Sequence, residues 1–123
     1  PYESNEQILA FAIENKIDLT VVGPELPLVS GIVDLFQQHK MRILGPNQAS
    51  SQLEGSKIFA KEFMIRNQVA TAKYQKFDDP DLAIKFLSDV DFPIVIKADG
   101  LASGKGVVIA KTKSEAIEAI NAI

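Results

Sequence analysis

Apolar positions fall into two kinds of pattern along this chain, and the kind changes part-way. Near the start, Ile8, Leu9, Ala12 and Ile13 recur at helical spacing, which predicts an amphipathic helix running to about Lys16. Ser4, with Gln7 three residues on, gives that helix a capping-box start. Leu19 to Val22 is a short apolar run that reads as a buried strand, ended by Gly23-Pro24. Leu28, Val29, Ile32, Val33 and Phe36 then share one face of a second helix, expected from about Pro27. Arg42-Ile43-Leu44 reads as another strand, stopped by Gly45-Pro46. Helix, strand, helix, strand with short connections predicts parallel strands in an α/β sheet.

Beyond Asn47 the order is different. Leu53 to Lys57 leads into a third helix with Ile58, Phe59 and Phe63 on its inner side and an end near Asn67. Ala72 to Phe77 is expected to be a strand. Asp79 followed by Pro80 is a strong helix start, and Leu82, Ala83, Phe86 and Leu87 supply the stripe. Ile94-Val95-Ile96 and Val107-Val108-Ile109 are β-branched runs that read as strands. Thr112 with Glu115 forms a second capping box, opening a helix with Ala116, Ile117 and Ile120 inside. From Ala72 onward this is an α+β order. The domain change is therefore expected near Gly45 to Ser51, giving units 1–46 and 47–123.

Composition narrows the partners. The 123 residues are 46% hydrophobic and 24% charged with a formal charge of −3, as in ordinary globular proteins. No basic run exists to neutralise a nucleic-acid backbone. No apolar run approaches the ~18 residues of a membrane span. Cysteine is absent, which excludes disulfides and thiolate metal sites and fits a reducing, cytoplasmic setting. The single histidine, His39, has no partner that would make a metal site. The chain opens on Pro1 rather than Met, as expected of a piece of a longer protein.

Candidate chemistry centres on Gly100 to Gly106, between the two β-branched runs. Glycines let backbone N–H groups approach anionic oxygens without a Cβ in the way, and Lys105 and Lys97 add positive charge. The P-loop pattern does not fit: three residues, not four, separate Gly100 from Gly104, and Gly106 follows the lysine where Ser or Thr belongs. The dinucleotide fingerprint also fails, because Val107-Val108-Ile109 follows instead of a helix. A loop in a hairpin over phosphates remains, as does a plain hairpin tip with Lys105 solvated. Gly23-Pro24-Glu25 and Gly45-Pro46-Asn47 stand at strand carboxyl ends, where α/β sheets gather ligands. Both also read as turn chemistry, though a turn does not need the Glu25 carboxylate.

Three stretches stand in one order: Val21 to Gly31 around Gly23-Pro24-Glu25, Gln52-Leu53-Glu54-Gly55-Ser56-Lys57, and Ile96 to Val107 around Lys97-Ala98-Asp99-Gly100. Together they resemble the phosphoribosylamine–glycine ligase family, the glycinamide ribonucleotide synthetases of the ATP-grasp superfamily. The resemblance runs from Asn5 to the last residue. It implies part of a parallel-sheet N-terminal domain on the substrate side, followed by the first α+β portion of an ATP-grasp domain. The implied activity is ATP-dependent joining of glycine to phosphoribosylamine through glycyl phosphate, in purine biosynthesis. The resemblance makes Lys57 and Lys97 ATP-phosphate ligands and Gly100, Ser103, Gly104, Lys105 and Gly106 the flap over them. Gly23, Pro24 and Glu25 correspond to the substrate-side turn.

Other readings of the same residues stay open. Lys97 also fits a snorkelling strand-end lysine, and Lys57 an ordinary lysine in a first helical turn, where the dipole slightly disfavours it. Asp99 fits a residue that fixes the loop through its own backbone and has no catalytic assignment. Magnesium or manganese is implied by the resemblance alone, with ligands outside this sequence, as are the adenine hinge and the second ATP-grasp sheet. The chain by itself is expected to be inactive. Alternatives are another ATP-grasp carboxylate–amine ligase or a non-catalytic nucleotide-binding module.

Overall fold

A computed structural model describes residues 3–102 and 106–123. It is a mixed α/β structure with one parallel and one antiparallel strand pair. Helix α1 (Asn5–Glu14) starts where expected: extended Ser4 accepts the Gln7 N–H at 3.3 Å. The Gln7 side chain in turn accepts from the N–H of Glu3, one residue before the cap, at 2.8 Å. Strands β1 (Thr20–Val21) and β2 (Ile43–Leu44) pair in parallel, Thr20 opposite Ile43.

Between them, the single helix expected from Pro27 is two. Helix α2 (Glu25–Val29) and helix α3 (Ile32–Gln38) meet at Gly31, whose φ of +85° breaks the helical path. Pro27 is tolerated inside α2 because the first-turn N–H groups have no intrahelical acceptor. Asn5 holds the break in place by donating to the carbonyls of Pro27 and Ser30 at 3.3 and 3.1 Å. Leu9 and Ala12 of α1 pack on Ile32, Val33 and Phe36 of α3, forming the first core.

Helix α4 (Gln48–Gly55) has no counterpart in the apolar pattern. Its only large apolar residue, Leu53, is exposed, and its buried positions are Ser51 and Gly55. The helix is held by polar capping and close backbone approach instead. Asn47 accepts from the Ser50 N–H at 2.9 Å, and Gln48 N–H donates to Asp34 at 2.7 Å. A Cβ on Gly55 would stand 2.9 Å from Val29. Helix α5 (Lys57–Arg66) follows at once; Ser56 ends α4 and caps α5, accepting from Phe59 N–H at 3.0 Å.

The strand expected at 72–77 does not form, since no strand among the described residues lies beside it to complete a ladder. Side chains of α5 secure this segment: Lys61 donates to Thr71 and the Ala72 carbonyl at 2.7 and 2.8 Å, and Lys76 meets Glu62 at 2.6 Å. Helix α6 (Pro80–Phe86) has the Asp79 cap and Pro80 start read from sequence. Strands β3 (Ile94–Lys97) and β4 (Val107–Ala110) pair antiparallel, with Lys97 opposite Val107. Helix α7 (Lys113–Asn121) closes over them. Leu87, Ala110 and Ala116, with Ile94, Ile96, Ile117 and Ile120 against them, form a second, separate core. Among the described residues no helix is long and apolar enough to cross a membrane.

Candidate functional site

The β3–β4 connection is closed at its base one step beyond the strand pair, where Ala98 N–H donates to the Gly106 carbonyl at 2.8 Å. Close packing explains the glycine there: a Cβ on Gly106 would lie 2.8 Å from the Ala102 Cβ and 3.0 Å from that of Ala98. Gly100 takes φ +87°, a left-handed conformation that side chains disfavour. Ser103, Gly104 and Lys105 lie outside the described residues.

The start of α5 meets this base. Lys57, the first residue of the helix, sends its Nζ to the Gly100 carbonyl at 2.7 Å. Asp99 crosses in the opposite direction, accepting from Ser56 Oγ at 2.9 Å and from the Ile58 N–H at 3.1 Å. Partial burial raises the Asp99 carboxyl pKa. The hydrogen bonds from the Ile58 N–H, Ser56 and the Gly100 and Lys57 backbones outweigh that, holding it below the ordinary aspartate value. Asp99 thus bridges two elements and does more than fix its own loop. Sequence reasoning missed the bridge because Ala-Asp-Gly reads as a local turn, whereas its partners lie at the other end of a long connection.

Lys97 ends β3, exposed, and its ammonium makes no hydrogen bond or ion pair among the described residues. Among the described residues Lys57 uses one of its three donors. Two cations with donors to spare among the described residues therefore stand on the two segments that meet at the base of this connection, and ammonium groups suit phosphate oxygens.

Gly23-Pro24-Glu25 leads from β1 into α2, with Pro24 extended as the cap and Glu25 exposed at the first helical position. Glu25 lines a cleft of about 50 Å³ with Pro46, Ser51 and Glu54. Both strand-end turns thus border one cleft, together with the end of α4. Glu54, which sequence reasoning did not single out as a site residue, lines this cleft from the last turn of α4. A larger open depression of about 520 Å³ beside Phe77, Leu82 and Phe86 contains none of these residues. Among the described residues no group of three His, Cys, Asp or Glu side chains could hold a metal ion.

Comparison with known families covers nearly all of the chain. Residues 2–54 match the N domain of phosphoribosylglycinamide synthetase, and residues 55–123 match its ATP-grasp (A) domain. The chain belongs to the phosphoribosylglycinamide synthetase family. Within that family it is 55% identical to the phosphoribosylamine–glycine ligase of Fusobacterium nucleatum over 97% of its length. It is 52% identical to that of Salmonella typhimurium over 93%. It spans only 28% and 27% of those two relatives.

The crystal structure of the Thermotoga maritima phosphoribosylamine–glycine ligase superposes on 96% of the chain with a TM-score of 0.72 at 32% identity, over 27% of that protein. The biotin carboxylase domain of Hydrogenobacter thermophilus 2-oxoglutarate carboxylase, solved with MgADP and bicarbonate, gives a TM-score of 0.78 at 22% identity. It covers 93% of the chain and 26% of that structure. That last likeness is one of fold alone.

Proposed function

We propose that the complete protein joins glycine to 5-phosphoribosylamine with ATP, giving glycinamide ribonucleotide, ADP and phosphate, in the cytoplasm. The observation that carries this reading is the meeting of Lys57 with the base of the β3–β4 connection, beside Lys97, in a chain of this family. In this reading a glycine carboxylate oxygen attacks the γ-phosphorus and ADP leaves. The amine nitrogen of phosphoribosylamine then attacks the acyl carbon of glycyl phosphate, and phosphate leaves. A carboxylate and a triphosphate repel each other, and cations fixed nearby lower that repulsion as charge develops.

Lys57 and Lys97 are assigned to the ATP phosphates, with Gly100, Ser103, Gly104, Lys105 and Gly106 over them. Gly23, Pro24 and Glu25 are assigned to the phosphoribosylamine side. The substrate-side unit is taken as 1–46, and 47–123 as a linker and the start of the ATP-grasp domain. Magnesium or manganese, which the family implies, finds no fitting side-chain group among the described residues, and no step above runs through it.

Coupled measurement of ADP release by the complete protein tests the proposal. Release should require phosphoribosylamine and glycine together. Turnover with a different amine and not with phosphoribosylamine would point to another ATP-grasp ligase. ATP binding with no turnover would point to a nucleotide-binding module.

A further inference from the structure

We infer that Asp99 is a positioning residue that sets the spacing between Lys57 and Lys97. The inference rests on the ATP-dependent reading above. Asp99 stands two residues beyond Lys97, just past the closed end of the strand pair. Its carboxylate accepts from Ser56 and Ile58, the residues on either side of Lys57. Lys57 returns the contact by donating to the Gly100 carbonyl. Two segments far apart in sequence are thereby cross-linked on both sides of Lys57 and just beyond Lys97.

Helix α5 has no fully buried residue, so these polar bonds help to locate its first turn. The same bonds decide what the helix start does chemically. Asp99 takes the Ile58 N–H and Ser56 Oγ takes the Phe59 N–H, so neither amide is left for a phosphate. Phosphate contact from this helix then falls to the Lys57 ammonium, and the place of that ammonium depends on the Asp99 bridge. An Asp99 that served only the general stability of the fold would affect every substrate alike.

The experiment compares the complete protein with its Asp99→Ala and Asp99→Asn variants, measuring KM for each substrate and the ATP Kd by titration. Asp99→Ala should raise the ATP KM and Kd about tenfold or more, as expected for lost charge-assisted hydrogen bonds. The KM for glycine and for phosphoribosylamine should stay within about twofold, the range of a difference well under one such bond. Asp99→Asn, which keeps an acceptor oxygen for the Ile58 N–H, should recover most of the loss. An ATP Kd unchanged in Asp99→Ala, or an equal rise for all three substrates, overturns the inference. If the unaltered protein binds ATP yet does not ligate glycine to phosphoribosylamine, the functional reading fails, while the ratio of ATP Kd values still decides the role of Asp99.

Discussion

Lys97 and Lys113 are both exposed lysines, and only Lys97 belongs to the proposed site. Lys97 ends β3 next to the β3–β4 connection, with its donors unused among the described residues. Lys113 opens α7 and donates to Ser88 at 3.0 Å. In the complete protein, Lys97→Ala should lower kcat/KM for ATP by roughly tenfold to a hundredfold, the worth of one charge-assisted hydrogen bond. Lys113→Ala should leave it within about twofold, because exposed polar contacts contribute little. Steady-state kinetics at varied ATP checks both, and similar small effects would remove Lys97 from the site.

Asp99 carries a pH signature as well. Its carboxyl pKa is lowered by the fold, so its contribution to stability is fully present above the unfolded-state value near 3.8 and is lost as pH falls through the lower folded-state value. Acid titration of the thermal midpoint should therefore show a smaller loss below that pH in Asp99→Asn than in the unaltered protein. At this scale the sequence was informative about type and silent about reach. Lys57, Lys97 and Gly100 could be named from motif and charge. The bonds from Asp99 to Ser56 and Ile58 could not, because nothing local to Ala-Asp-Gly encodes a partner on another helix.

Where caps and periods agree, elements are legible: Ser4, Asp79 and Thr112 each cap a helix as their side chains dictate. Where an element lacks an apolar period it is not. Helix α4 is built on Ser51 and Gly55, and Gly31 divides α2 from α3 through backbone conformation rather than hydrophobicity. Helix ends were harder still, because three of them do without glycine. Lys16, Lys40 and Gln68 follow α1, α3 and α5 with φ of 50°, 58° and 58°. Each is followed by a residue whose N–H closes a Schellman bond: Ile17 to Ala12 at 2.9 Å, Met41 to Phe36 at 2.9 Å and Val69 to Met64 at 2.8 Å. A left-handed non-glycine residue costs roughly 1–2 kcal/mol. Replacing Lys16, Lys40 or Gln68 by glycine should therefore stabilise the fold by up to about 1 kcal/mol each, after the extra freedom of glycine in the unfolded chain is subtracted. Denaturant midpoints of the three variants measure this, and unchanged or lower midpoints would contradict it.

The whole chain exposes more surface than its mass requires. Its accessible area is 8903 Å², against about 6,500 Å² for a compact monomer of this mass. Val95 and Ile109 face each other across β3 and β4 and are 53% and 64% exposed. Val21 and Leu44, opposite each other in the parallel pair, are 65% and 62% exposed. Two small cores with bare sheet faces are consistent with a chain that spans 28% of a relative, and they limit what it can bind alone. Two or three charge-assisted contacts to phosphate supply about 3–9 kcal/mol. Loss of translational and rotational freedom takes back about 4–15 kcal/mol, so little net affinity is left. The isolated 123-residue chain should therefore bind ATP with a Kd near or above about 1 mM, equivalent to roughly −4 kcal/mol. Titration calorimetry at high protein concentration tests this against the complete protein. Micromolar binding by the chain alone would mean that the nucleotide is held chiefly by residues between Asn5 and Ile123, and that Lys57 and Lys97 are a minor part of a site already whole.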